Sequence, residues 1–157
     1  MRILDLLHPA CIKVPLAAVD KHGAIDELID LLAAAGRVRR ADDVKRAVWE
    51  RETQRTTGIG EGLAIPHGKS DTLDQVVVAI GRPAQPIEFD AIDRKPVRLI
   101  VLLVSPPHRT SDHIQALGKI SRLMGNVEFR EQVYNASSAT ELLALFEGAE
   151  KAAAATR

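Results

Sequence analysis

The run Val97-Arg98-Leu99-Ile100-Val101-Leu102-Leu103-Val104-Ser105 is apolar at nearly every position and stops at Pro106-Pro107. A strand with one wet face alternates apolar and polar residues. One that does not alternate is covered on both faces and lies centrally in its sheet. Gln75–Gly81 (Gln-Val-Val-Val-Ala-Ile-Gly) is β-branched and reads as a second buried strand. Residues 82–94 between them, rich in proline, read as a connection with turns. Upstream, short extended pieces at Thr57–Ile59 and Leu63–Ile65 flank Gly60–Gly62.

The flanks have a different period. Ile25, Leu28, Ile29 and Leu32 fall at i, i+3, i+4 and i+7, which predicts an amphipathic helix over 24–35 ended by Gly36. A second helix runs from Asp42 to about Gln54, with Val44, Val48 and Trp49 inward. After the long strand come helices over Ser111–Gly125, Glu128–Asn135 and Ser138–Phe146. The last opens with a capping box, Ser138 followed three residues on by Glu141. Helices, then strands, then helices predict an α/β fold. It is a single layered domain, residues 1–148, with a small mixed β-sheet flanked by helices on both faces. Residues 149–157 are expected to form a flexible tail.

At 157 residues the chain suits one domain with a sizeable core. Apolar residues make 46% and charged residues 27%, with a formal net charge of zero, so the basic excess that nucleic-acid binding needs is missing. Arg37, Arg39 and Arg40 read as a solvated loop between helices. Cys11 is the only cysteine, which excludes a disulfide framework and fits a cytoplasmic setting. No leader-like apolar segment follows Met1 and no apolar run reaches the ~18 residues of a membrane span, so neither is expected.

Thr57-Gly58-Ile59-Gly60-Glu61-Gly62-Leu63-Ala64-Ile65-Pro66-His67-Gly68 carries the chemistry. Pro66 restricts the backbone before His67, and Gly68 admits a close neighbour after it, so the imidazole is displayed. A displayed histidine suits nucleophilic work, base catalysis, metal binding or phosphate binding. Gly58, Gly60 and Gly62 alternate in a way that can present amides to an oxyanion. Arg51 and Arg55 lie one turn apart at the end of the second helix, where an arginine is either solvated or a bidentate anion clamp. His113 tops an apolar stripe with Leu117, Ile120 and Met124. It is either a hydrogen-bonded core-edge histidine or, at a helix start, a neutral donor to phosphate. His8, His22 and His108 read as loop or capping residues. Gly68-Lys69-Ser70 lacks the first glycine of a nucleotide-binding loop, and a metal site would have to be assembled from His67, His113 and Glu61, so none is expected. No cofactor is expected.

The segment Arg51-Glu52-x-x-x-Thr56-Thr57-Gly58-Ile59-Gly60-x-Gly62-Leu63-Ala64-Ile65-Pro66-His67-Gly68 resembles the active-site signature of enzyme IIA domains of the fructose/mannitol type. These belong to the bacterial phosphoenolpyruvate-dependent phosphotransferase system. Phe89-Asp90-Ala91-x-Asp93-x-x-Pro96-Val97 and the helix start with His113-Ile114 extend the likeness over Ile3 to Phe146. It is nearest the nitrogen-related, regulatory branch. Leu63, where isoleucine is common, and Ile114, where leucine is frequent, depart mildly. The loop His108-Arg109-Thr110 is unfamiliar.

The resemblance implies that His67 is phosphorylated on Nε2 by the histidine phosphocarrier protein. It implies His113 as second active-site histidine and Arg51 as the phosphate-facing arginine. Read from the residues themselves, Gly58, Gly60, Gly62 and Gly68 are the candidates for backbone contacts to the phosphate. The phosphoryl group then passes to a IIB domain for sugar uptake, or it stays as a mark read by a regulated transporter or kinase. No metal, nucleic acid or membrane insertion is implied.

Overall fold

The computed structural model describes residues 2–155. Two long strands form its centre, β5 (Val77–Pro83) and β6 (Leu99–Ser105), paired antiparallel from Val77↔Val104 to Gly81↔Ile100. On the far side of β5 lies β1 (Ile12–Leu16), parallel to it. The other edge of β6 carries β3 (Leu63–Ala64) and, further along, β4 (His67–Lys69), both parallel to β6. A last strand, β2 (Gly58–Gly60), pairs antiparallel with β3. The sheet is therefore six-stranded and mixed, in the order β1-β5-β6-β3-β2, with β4 beside β6.

Strand alternation divides the core in two. Val78 and Ile80 of β5, with Leu99, Val101 and Leu103 of β6, face one side. There they meet α3 (Thr110–Met124), α4 (Val127–Tyr134) and α5 (Ala139–Ala155) through Ala116, Ile120, Val133, Leu142 and Phe146. Val77, Ala79, Ile100, Leu102 and Val104 face the other side. They pack on α1 (Lys21–Ala34) and α2 (Ala41–Gln54) through Ile25, Leu28, Leu32, Val44 and Val48. Each such aliphatic side chain stabilises the fold by roughly 1.5–3 kcal/mol on burial. This is the predicted α/β architecture, and it explains why the Val97–Ser105 run has no polar face: every residue of β6 is buried.

Helix ends follow the expected chemistry with shifts of a few residues. Asp20 caps α1 by accepting from the Gly23 amide at 2.7 Å, so that helix begins earlier than its apolar stripe. Gly36, at φ +75°, ends it. At α5 the Glu141 amide donates to Ser138 Oγ at 3.1 Å, and Glu141 reaches back to the Ser137 amide at 3.0 Å, closing the box one residue further out.

Three features differ from expectation. Strand β1 was not predicted; it contains Pro15, which only an edge strand tolerates. His67–Lys69 is a further short strand for which no extended segment was predicted. The segment expected as a frayed tail continues α5 to Ala155, because the Glu150 carboxylate accepts from the backbone amides of Ile3 and Leu4 and ties the two ends of the chain together.

Candidate functional site

His67 opens β4, opposite Leu103 of β6. Helix α2 crosses closely at the next residue: a Cβ on Gly68 would lie 3.1 Å from the Val48 amide nitrogen and 3.2 Å from its Cα. The His67 ring is half-buried, and its Nδ1 lies 2.9 Å from the Ile65 carbonyl oxygen. A carbonyl oxygen only accepts, so Nδ1 carries the proton and Nε2 carries the lone pair. The local Ile65-Pro66-His67 backbone thus sets the tautomer of this imidazole.

Side chains two apart in a strand share a face, so Lys69 lies on the same face as His67, and Ser105 continues the Leu103 row of β6 towards α3. From α3 comes His113, only 5% exposed. Its ring meets that of His67 edge-on, with centroids 5.5 Å apart and planes at 71°. Its Nδ1 lies 2.6 Å from the buried Ser105 Oγ. Lys69 Nζ donates to Thr110 Oγ1 at 3.2 Å, at the first turn of α3. Burial above all, then the neighbouring His67 and Lys69, pushes the His113 pKa down to about 4, so its imidazole is neutral at physiological pH.

Arg51 sits one helical turn beyond Val48 on α2, half-buried, and its Nη1 donates to the Arg55 carbonyl at 2.9 Å. That bond holds the guanidinium at the C-terminal end of α2, on the element that overlies β4. Beside it Glu52 is 3% exposed. Its carboxylate pairs with Lys21 Nζ at 2.8 Å and accepts from the Thr57 amide at 3.0 Å and from the Thr57 hydroxyl. Lys21 Nζ and Thr56 Oγ1 both donate to the Phe89 carbonyl, at 3.0 and 2.7 Å. This network locks the start of β2 and the Phe89–Ala91 loop to the helices.

The alternating glycines build the β2–β3 hairpin. Gly58 and Gly60 lie on β2 and pair with Ala64 and Leu63 of β3, one strand out from β6, whereas His67 pairs with β6 directly. The Gly58 amide already donates to Thr56 Oγ1 at 3.0 Å, and its missing side chain lets Ala91 approach. Gly60 and Gly62 turn the β2–β3 hairpin at φ +99° and +83°. Of the four glycines, Gly68 alone adjoins His67 in the chain. His8 and His22 lie elsewhere: His8 Nδ1 accepts from the Ala10 amide, and His22 stacks on Trp49 with centroids 4.1 Å apart. Ser105 and Lys69 escaped the sequence reading, although the two-residue period places Lys69 beside His67.

The structure thus sets the His67 imidazole at the sheet edge against a second, neutral imidazole. The family model described as "Phosphoenolpyruvate-dependent sugar phosphotransferase system, EIIA 2" matches residues 5–149, and the chain belongs to that family. It is 42% identical over 118 residues to the PTS system fructose-specific EIIA component of Haloferax volcanii, covering 75% of this chain and 77% of that protein. It is 35% identical over 137 residues to a nitrogen regulatory protein of Bradyrhizobium diazoefficiens, covering 85% of this chain and 86% of the other. The fold matches the crystal structure of the nitrogen regulatory protein IIA-Ntr from Neisseria meningitidis with a TM-score of 0.83 at 32% identity, over 92% of this chain and 98% of that one.

Proposed function

We propose that His67 accepts a phosphoryl group on Nε2 from the phosphohistidine of the histidine phosphocarrier protein, and that the phosphorylated chain acts mainly as a regulatory, nitrogen-related signal. The observation that carries this is the 2.9 Å bond from His67 Nδ1 to the Ile65 carbonyl, which leaves Nε2 as the nucleophile beside a neutral second imidazole.

The Nε2–P bond forms as the donor's P–N bond breaks. His67 keeps its Nδ1 proton and the leaving imidazole keeps its own, so no proton has to move. Nitrogen replaces nitrogen, and the exchange is close to balanced. The protein's task is alignment and charge dispersal over the phosphoryl oxygens. His113 supplies a neutral N–H donor, Lys69 an ammonium on the same face as His67, and Arg51 a guanidinium from α2. Gly68 contributes shape, by admitting α2 against β4.

Likeness to nitrogen regulatory proteins over 86% and 98% of their lengths supports the regulatory reading. In it, the charge state of His67 tunes affinity for a regulated transporter or kinase. The second reading, relay to a IIB domain for fructose/mannitol-type uptake, draws on the 42% identity to a fructose-specific EIIA component.

The test incubates the chain with phosphoenolpyruvate, enzyme I and the phosphocarrier and reads the intact mass. We expect an acid-labile, base-stable gain of about 80 Da, one phosphoryl group, in wild type and none in His67→Ala. An unlabelled wild type, or label persisting in the variant, refutes the phosphohistidine. Transfer from the labelled chain to isolated IIB domains then separates relay from regulation.

A further inference from the structure

We propose that Ser105 is a positioning residue that fixes His113 in the Nε2–H tautomer, so that a proton, rather than a lone pair, is left for the phosphoryl group. The inference rests on the reading of His67 as phosphoryl acceptor.

Ser105 ends the apolar strand β6 as a fully buried hydroxyl. Its backbone is held by the β4–β6 ladder, where Ser105 registers with Lys69 and its carbonyl accepts from the Ser70 amide at 3.0 Å. The side chain therefore has little freedom. Its one hydrogen-bond partner among the described residues is His113 Nδ1, at 2.6 Å. Two arrangements satisfy that distance. If Nδ1–H donates to Oγ, the hydroxyl proton is left in the core with no acceptor. If the hydroxyl donates to Nδ1, its proton is used and the imidazole proton goes to Nε2. Buried polar hydrogens find partners, so the second arrangement prevails.

The consequence reaches the chemistry through charge. A neutral imidazole has one N–H and one lone pair. With Nδ1 occupied by Ser105, Nε2–H is the donor that remains for an oxyanion on the adjacent His67. The opposite tautomer presents a lone pair to negatively charged oxygens and repels them. A valine or alanine at the end of β6 would extend the apolar run and leave this choice to chance.

The test uses full-length, uniformly ¹⁵N-labelled protein at near-neutral pH. In wild type, long-range ¹H–¹⁵N spectra should show His113 protonated at Nε2 and lone-paired at Nδ1. In Ser105→Ala the proton should redistribute between the two nitrogens. Phosphoryl exchange with the phosphocarrier should then slow about tenfold, the equivalent of one hydrogen bond, and Ser105→Thr should restore both. An Nδ1–H tautomer in wild type overturns the proposal, as does a Ser105→Ala variant with unchanged tautomer and rate. Should Ser105→Ala fail to fold, the wild-type and Ser105→Thr spectra decide. Failure of the underlying reading looks different: wild type takes no label at all, whatever the His113 tautomer.

Discussion

His113 meets His67 edge-on, its ring centroid 5.5 Å from that of His67, although the two sit on different elements, one half-buried and the other buried. His67 stands at the start of a strand with one nitrogen bonded to its own backbone. His113 is lodged under it, neutral, with one nitrogen bonded to Ser105. A phosphoryl group on His67 would place negative charge beside an imidazole that burial keeps uncharged.

That placement gives a pH signature. An unfolded histidine titrates near 6.5, whereas burial, His67 and Lys69 hold His113 down to about 4. Below about pH 6.5 the unfolded chain binds a proton that the folded chain refuses. Stability from this group is therefore intact above 6.5, falls as pH drops towards 4, and falls no further below it. The loss is at most about 3 kcal/mol. Urea unfolding of wild type and His113→Gln across this window checks it; identical pH dependence in both would refute the assignment. Phosphorylation of His67 should raise the His113 pKa, since a nearby anion favours imidazolium.

His113→Ala should still accept a phosphoryl group, because Nε2 of His67 is set by Ile65. Without the N–H donor the group is poorly held for its next transfer, and we expect the onward rate to fall by about tenfold or more. Single-turnover transfer to a IIB domain or back to the phosphocarrier measures it. Normal onward transfer would remove the role given to His113.

Glu52→Ala should cost about 3 kcal/mol, roughly 10 °C in Tm for a domain of this size. It leaves Lys21, 17% exposed, and the Thr57 amide and hydroxyl without the carboxylate that joins them. Because that network locks the start of β2 and the Phe89 loop, labelling of His67 should slow as well. Calorimetry with a labelling time course reports both, and an unchanged Tm would contradict the network's structural role.

Gly68→Ala and Gly148→Ala should move stability in opposite directions. At Gly68 the new methyl meets Val48 backbone atoms at 3.1 and 3.2 Å, which cannot rotate away, and overpacking there should cost about 2 kcal/mol. Gly148 lies within α5 with nothing inside 4 Å of a new Cβ, and alanine there should stabilise by about 1 kcal/mol. Denaturant midpoints of the two variants give the comparison.

What the sequence by itself determined is what local periodicity encodes. Apolar residues at helical spacing marked α1 and α3. The unbroken run in β6 announced a strand covered on both faces. Pro66-His67-Gly68 announced a presented imidazole. Tertiary structure decided the rest, because the deciding partners are remote in the chain. Strands β1 and β4 are too short or too proline-marked to be read locally, and exist through pairing with β5 and β6. The last turns of α5 depend on Glu150 holding the amides of Ile3 and Leu4. Arg51 and the glycines were visible as residue types, but their bonds to Arg55 and Thr56 were not. By spacing alone His113 read as a core-edge histidine; that β6 brings Ser105 to one of its nitrogens and β4 brings His67 to its edge is visible only in the fold. A one-dimensional pattern carries burial and period. Which nitrogen of the His113 imidazole holds the proton turns on the Ser105 hydroxyl, which stands on another element and which only folding brings there.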